Sequence, residues 1–335
     1  MAEPRCTRSK VLLVSLGGTI TMTSGPGSGI VPTLTGADLV RAVPVLADLA
    51  EIEAVSPFRL PGASLTLANL REVARLLNER LVDDIAGAIV VQGTDTIEET
   101  AFVLDLLVEG DKPVVVTGAM RGAAAPGADG PANLLASVIV ARSQAACQLG
   151  TLVVLNDTIH AARFVQKAST FLPSAFASFS GGPLGCIIEG RVRIDVRVER
   201  RKIIENGCQG SDQPVALLTT ALGDDGRILA GLPGLGYGGL VVEAMGVGHV
   251  PSAMVPALAR LAEAFPVVLS SRVASGSVFA GTYGFPGSEI DLLGRGLIGA
   301  GSLGGLKARL LLSLLLGIGL KGGELREAFT RIAAP

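Results

Sequence analysis

Two turns in this chain place a threonine directly after a glycine at the end of an apolar run. The run 11–16 leads into Gly17-Gly18-Thr19, and 88–91 leads into Gln92-Gly93-Thr94-Asp95-Thr96. A third run, 114–116, leads into Thr117-Gly118-Ala119. Open α/β sheets bind ligands beyond the carboxyl ends of their strands, and glycine there lets backbone N–H groups approach a substrate closely. One such turn is equally well explained as a turn and nothing more; two with hydroxyls in the same place favour chemistry. A threonine hydroxyl becomes a nucleophile only with a base beside it. His160 and His249 are the only histidines, so lysine, carboxylate or tyrosine must supply that base. Lys167 follows the strand end Asn156-Asp157-Thr158 by nine residues, in a segment rich in small residues. A lysine acts as a base only where burial or a neighbouring cation favours its neutral form, and spacing alone leaves a solvated surface lysine as the plainer account. Asp95, just ahead of the helix opening at Glu98, suits an N-cap or an ammonium-binding carboxylate equally. His160 reads as a satisfied polar or surface residue. His249, in Gly246-Val247-Gly248-His249, stands at another strand-end turn and is a candidate on the substrate side, with an ordinary turn role as the alternative.

The elements that must position these residues are short β-branched runs alternating with amphipathic stretches, the pattern of a parallel sheet covered by helices. Strands are expected at 10–16, 87–91, 113–117, 152–155, 215–219, 240–244 and 267–270, and helices at 66–81, 98–108, 132–146, 251–264, 307–316 and 324–333. From 191 to 198, Val192, Ile194, Val196 and Val198 alternate with Arg191, Arg193, Asp195 and Arg197, which predicts a half-exposed antiparallel strand. The segment 206–214 has Gly, Ser, Asp and Pro without apolar periodicity and reads as a linker between a domain at 1–205 and one at 215–335.

Composition narrows the function classes. The chain has 335 residues, 49% of them hydrophobic and 17% charged, with mean hydropathy +0.53 and net charge −2. Disorder is excluded by that hydropathy, and 28 basic against 30 acidic residues leave no excess with which to neutralise nucleic-acid phosphates. The longest apolar stretch, 310–320, contains Ser313 and two glycines between Arg309 and Lys321. It is too short for a membrane span and reads as a core helix. No secretion signal is expected at the charged start. Cys6, Cys147, Cys186 and Cys208 are widely spaced, which argues against a zinc site or a disulfide framework and for free thiols in the cytoplasm. No Gly-x-Gly-x-x-Gly follows the first strand and no P-loop occurs, so a nucleotide cofactor has no fingerprint.

Taken together, the motifs resemble the bacterial-type L-asparaginase family of threonine amidohydrolases. The matching runs are Gly17-Gly18-Thr19-Ile20, Gln92-Gly93-Thr94-Asp95-Thr96-Ile97-Glu98-Glu99-Thr100, and Lys112-Pro113-Val114-Val115-Val116-Thr117-Gly118-Ala119-Met120-Arg121. They continue with Ala128-Asp129-Gly130-Pro131-Ala132-Asn133-Leu134, Val154-Leu155-Asn156-Asp157-Thr158, Ser270-Ser271-Arg272 and Lys307-Ala308-Arg309. Each is modest alone; in the family's order and over nearly the whole chain they are highly specific. The resemblance implies an α/β protein: a large N-terminal domain with a mostly parallel, helix-flanked sheet and a smaller C-terminal α/β domain. It implies hydrolysis of L-asparagine to L-aspartate and ammonia, with L-glutamine as a side substrate, in a homotetramer of intimate dimers whose sites are completed by the neighbouring subunit. By position, Thr19 matches the nucleophile that forms the acyl-enzyme. Thr94, Lys167 and Asp95 match the second catalytic group, in which Lys167 tunes the Thr94 hydroxyl and its water and Asp95 grips the substrate ammonium. No metal or organic cofactor is required.

Two departures stand out. The family's tyrosine in the loop after the first threonine is missing from 21–35, where Ser24-Gly25-Pro26-Gly27-Ser28-Gly29 reads as a mobile lid without its phenol. Where the family commonly has a serine on the substrate carboxylate, this chain has Gly62, followed by Ala63 and Ser64; backbone N–H groups of Gly62 and Ala63 can serve instead. Tyr283, eleven residues after Arg272, is expected either to replace the missing phenol across a dimer interface or simply to pack in its own loop. Two other readings remain. One is a related amidohydrolase on another amide, though the amidotransferase version usually carries an extra N-terminal domain and only ten residues precede the first strand. The other is a non-catalytic amino-acid-binding protein on the same scaffold, against which the joint presence of Thr19, Thr94, Asp95 and Lys167 weighs.

Overall fold

The computed structural model of the protein describes residues 9–24, 30–32, 34–82, 84–200 and 203–334. Contacts divide the chain into two compact units, Met1–Ile203 and Ile204–Pro335. The first unit runs β1 (Lys10–Ser15), a hairpin of β2 (Met22–Ser24) and β3 (Ile30–Pro32), α1 (Gly36–Arg41), α2 (Leu46–Leu49), β4 (Glu51–Val55), α3 (Leu67–Arg80), β5 (Ile85–Val91), α4 (Ile97–Leu107), β6 (Val114–Thr117), α5 (Gly130–Ala141), β7 (Thr151–Leu155), β8 (Thr158–Ala161), β9 (Val165–Lys167), β10 (Phe176–Ser178), β11 (Gly185–Ile188) and β12 (Arg191–Ile194).

Its main sheet has the order β12-β11-β8-β7-β6-β5-β1-β4. The strands β4, β1, β5, β6 and β7 are parallel, and β8, β11 and β12 continue as antiparallel hairpins. Continuous apolar runs are what strands covered on both faces require, and Val11, Leu12, Leu13, Val14, Ile89 and Val90 are fully buried. The chain leaves β1 toward β4 and leaves β5 in the opposite direction, toward β6. The β1–β5 boundary is therefore the topological switch point, where a crevice opens beyond the strand ends. Gly17-Gly18-Thr19 and Gly93-Thr94 are the segments that emerge there.

Of the elements that differ from the sequence expectation, three show why. Strand β4 was not expected; Glu51 and Glu53 alternate with Ile52 and Ala54 along the edge of the sheet. The strand expected over 191–198 stops at Ile194, because the Asp195 and Val196 N–H groups both donate to the Leu184 carbonyl and bend the chain. The helix expected over 132–146 ends at Ala141, and a separate 3₁₀ turn, Gln144–Ala146, is capped by the Ser143 hydroxyl.

The second unit contains β13 (Val215–Thr219), β14 (Gly239–Ala244), α6 (Val255–Ala264), β15 (Val267–Ser271), α7 (Glu289–Gly294), β16 (Ile298–Gly299), α8 (Gly305–Gly317) and α9 (Gly322–Ala333). Its four strands are parallel in the order β13-β14-β15-β16. The segment 206–214 is part of this unit: Ser211 N–H donates to the Gly317 carbonyl, and the Ser313 hydroxyl donates to the Gln213 carbonyl. The apolar stretch 310–320 is mostly α8, with Leu311, Leu312 and Leu314 fully buried. Among the described residues, no helix is long and apolar enough to cross a membrane. Cys147 and Cys186 are free thiols, and Cys6 lies outside the described residues.

Candidate active site

Three glycines bring the turns together backbone against backbone. A Cβ on Gly18 would lie 2.0 Å from the Gly93 nitrogen, and one on Gly93 would lie 2.9 Å from the Gly62 nitrogen. Gly18 also has φ +87°, a conformation that L side chains rarely adopt. Only residues without side chains allow these approaches, so the threonine after Gly18, the threonine after Gly93 and the 3₁₀ turn Gly62–Ser64 converge on one place. Side chains fasten the junction. The Gln92 amide donates to the Thr96 hydroxyl at 3.1 Å, and that hydroxyl donates to the Gly62 carbonyl at 3.0 Å. Gly118 completes it: a Cβ there would be 2.5 Å from the Gln92 carbonyl oxygen and 3.4 Å from the Thr94 methyl. Asn133 and Asp129 hold this third turn through the Gly118 carbonyl and the Met120 and Arg121 N–H groups.

Thr94 is 7% exposed and opens the 3₁₀ turn Thr94–Thr96 that runs directly into α4. Lys167, the last residue of β9, reaches it: Nζ lies 3.0 Å from the Thr94 hydroxyl and 2.8 Å from Asp95 Oδ1. The Lys167 side chain is 17% exposed and that of Asp95 65%. The lysine is thus mostly withdrawn from water, while the carboxylate is open to a second cation. Thr19 opens the 3₁₀ turn Thr19–Thr21 and is half-buried. Among the described residues nothing hydrogen-bonds its side chain, whereas the Thr21 hydroxyl is tied to the Gly18 carbonyl at 2.7 Å. Ala63 and Ser64 are exposed and Gly62 is buried. The first N–H groups of such a turn have no partner within it, which makes them available to an anion. The glycine-rich tip 25–29, expected to be a lid, lies outside the described residues.

Sequence reasoning missed two carboxylates. Glu98, in the first turn of α4, accepts the Lys167 backbone N–H at 3.1 Å. In the second unit Glu289 is fully buried at the start of α7, accepting N–H bonds from Thr282 at 2.9 Å and Tyr283 at 2.7 Å. Its other oxygen lies 3.3 Å from His249 Nε2. Burial pushes the Glu289 carboxyl up, but the Tyr283 and Thr282 N–H bonds and His249 outweigh it, so the net displacement is below the ordinary carboxylate range. His249, Tyr283 and Phe285 pack edge to face, with centroids 4.9 Å (His249–Tyr283) and 5.0 Å (His249–Phe285) apart. Tyr283 remains 42% exposed and Phe285 47%. An acidic residue in a first helical turn ordinarily reads as a partner of the helix dipole, which hid Glu98, and the short helix that begins at Glu289 is not among those expected from the sequence.

His160 is the satisfied residue expected: it is buried, its Nδ1 lies 3.0 Å from the Ser178 hydroxyl, and burial lowers its pKa to about 4. A cavity of about 1460 Å³ opens at the amino ends of the strands, away from the turns, lined by Lys10, Glu51, Asp84, Lys112, Arg142 and Arg197 among others. Three of its charged residues are engaged within the fold, in the Lys10–Asp84 ion pair and the Arg197 bonds to the Ala145 and Cys147 carbonyls. Among the described residues no group of three or more His, Cys, Asp or Glu is arranged to hold a metal ion.

Two family models match the chain: asparaginase, N-terminal, over residues 10–200, and glutaminase/asparaginase C-terminal domain over 214–329. A probable L-asparaginase of Deinococcus radiodurans is 34% identical, over 96% of this chain and 97% of that protein. L-asparaginase 2 of Escherichia coli is 33% identical over 83% and 80%, and a glutaminase-asparaginase of Acinetobacter glutaminasificans is 32% identical over 92% and 95%. The crystal structure of a probable cytoplasmic L-asparaginase from Campylobacter jejuni superposes with TM-score 0.86 at 30% identity, covering 97% of this chain and all of that one.

Proposed function

Because the chain belongs to the asparaginase family, we propose that it hydrolyses the side-chain amide of L-asparagine to L-aspartate and ammonia through an ester on Thr19. The observation that carries this reading is the Thr94–Lys167–Asp95 contact standing beside Thr19 on the glycine junction. The Thr19 hydroxyl attacks the amide carbon, its proton passes to the departing nitrogen, and ammonia leaves behind an aspartyl ester. Water held by the Thr94 hydroxyl then attacks the ester carbon, its proton passing by way of Thr94 and Lys167, 3.0 Å apart, to the departing Thr19 oxygen, which releases L-aspartate and free Thr19. The backbone N–H of Thr94 and its neighbours stabilise the oxyanion in both steps, worth about 3–4 kcal/mol for a well-placed donor.

Asp95 takes the substrate ammonium on its exposed carboxylate, a charge-assisted bond that selects an amino acid over a simple amide. The Gly62 and Ala63 N–H groups, with Ser64, receive the α-carboxylate. In the assembled homotetramer Tyr283 of a neighbouring copy supplies the phenol that the 21–35 segment lacks, with His249 behind it on the substrate side. L-glutamine is the second substrate. It is longer by one methylene, a difference worth only about 1–3 kcal/mol in a pocket, and a glutaminase-asparaginase is among the relatives.

Rapid acid quench of the enzyme turning over L-asparagine, followed by peptide mass spectrometry, is expected to find an aspartyl adduct on the peptide holding Thr19. An adduct on Thr94 instead would reverse the two roles. Turnover with no adduct on either threonine would overturn the covalent route.

A further inference from the structure

The lysine at the site is held at both ends by one short stretch of chain. Its Nζ is fixed by Thr94 and Asp95, at 3.0 and 2.8 Å, and its backbone N–H donates to Glu98 Oε1 at 3.1 Å. Thr94, Asp95 and Glu98 all belong to the 3₁₀ turn and first helical turn that lead into α4. That helix is anchored in the core, with Ile97, Ala101, Val103 and Leu104 fully buried.

Lys167 itself rides on a much weaker support. β9 is three residues long and pairs only with β10, in a two-stranded sheet separate from the main one. Such a hairpin is marginal on its own. Just beyond β9, the Ala168 N–H donates to the Ala175 carbonyl, and N–H groups alternate in direction along an antiparallel strand. The Lys167 N–H therefore points away from β10, to the free edge, where Glu98 is its acceptor.

We propose that Glu98 is a positioning residue: through the Lys167 N–H it ties the β9 hairpin to α4 and so sets the distance from Nζ to the Thr94 hydroxyl. The proposal rests on the hydrolytic reading above, in which that distance governs the proton transfer. A side chain that merely satisfied an edge N–H would affect stability alone; a positioning residue affects turnover with little change in substrate affinity.

The test compares ammonia release from L-asparagine by the full-length enzyme and by Glu98→Ala, Glu98→Gln and Glu98→Asp, with melting temperatures and a crystal structure of Glu98→Ala alongside. Glutamine keeps the acceptor and loses the charge; aspartate keeps the charge and withdraws the acceptor by one methylene. The expected result is a fall in kcat of about tenfold to a hundredfold for Ala and Asp, KM within about twofold, and recovery by Gln to within about threefold of wild type. Wild-type kcat in Ala or Asp would overturn the proposal, as would equal losses in Gln and Ala, which would assign the effect to charge. If Ala does not fold, Asp and Gln decide between these outcomes. If the wild-type enzyme releases no ammonia, the hydrolytic reading fails. The crystal structure then judges the clamp alone: an Nζ–Oγ1 distance lengthened beyond hydrogen bonding supports it, and an unchanged 3.0 Å overturns it.

Discussion

Lys167 and Asp95 form an ion pair in which the lysine is mostly withdrawn from water and the carboxylate mostly open to it. That asymmetry suits a carboxylate shared between the lysine and an incoming ammonium. Lys167→Met removes the proton path and leaves Thr94 without its partner, so kcat is expected to fall about 10²–10⁴-fold, the usual worth of a positioned acid–base group. Circular dichroism checks that the fold survives; turnover within threefold of wild type would contradict the role. His160 gives a prediction of a different kind. Burial holds its folded-state pKa at about 4, below the ordinary histidine value of 6.5, so the native state binds fewer protons than the unfolded chain between those values. The neutral-histidine contribution is complete above pH 6.5 and is lost as the pH falls toward 4, a change of about 3 kcal/mol. Denaturation across that window is expected to show the loss in the wild type and a flatter profile in His160→Gln. The turns at Thr19 and Thr94 were legible from glycine and hydroxyl spacing alone. Lys167 became legible only through family resemblance, because a nine-residue spacing does not reveal that a hairpin folds the chain back onto Thr94.

Among the elements, the glycine junction is the least tolerant of change. Gly18→Ala meets both the Gly93 backbone at 2.0 Å and an unfavourable φ of +87°. It is expected to lower the melting temperature by several degrees and to abolish turnover, since Thr19 cannot keep its place beside Thr94; an active, unshifted Gly18→Ala protein would contradict the convergence described. In the second unit, Glu289→Ala strips two N–H groups of their buried acceptor. Faster hydrogen exchange at Thr282 and Tyr283 is the expected signature, because those amides are held by Glu289. Unchanged protection would show that the loop is fixed by other contacts. Most parallel strands of the two larger sheets were legible because their apolar runs are continuous. Edge and hairpin strands were not: β4 alternates glutamates with apolar residues, β9 is three residues long, and β12 is cut short by a bend at Asp195 that no local pattern announces.

For the molecule as a whole, the two-unit division and the family match make assembly the remaining question. Tyr283 lies in the second unit on an exposed aromatic cluster. If it serves a neighbour's Thr19, copies carrying Thr19→Ala and copies carrying Tyr283→Phe are expected to complement each other when mixed as assembled oligomers. One site of each mixed pair then combines an intact threonine with an intact tyrosine. Activity no higher than the sum of the parents would place the tyrosine's work, if any, within its own chain.

The measurement to make first is ammonia release from L-asparagine and, in parallel, from L-glutamine, by the wild type, Thr19→Ala and Thr94→Ala. Rapid release from L-asparagine, slower release from L-glutamine and loss of both in each variant is the expected result. No release from either amide by a folded wild-type protein would contradict amide hydrolysis, and undiminished release by Thr19→Ala would remove Thr19 as the nucleophile.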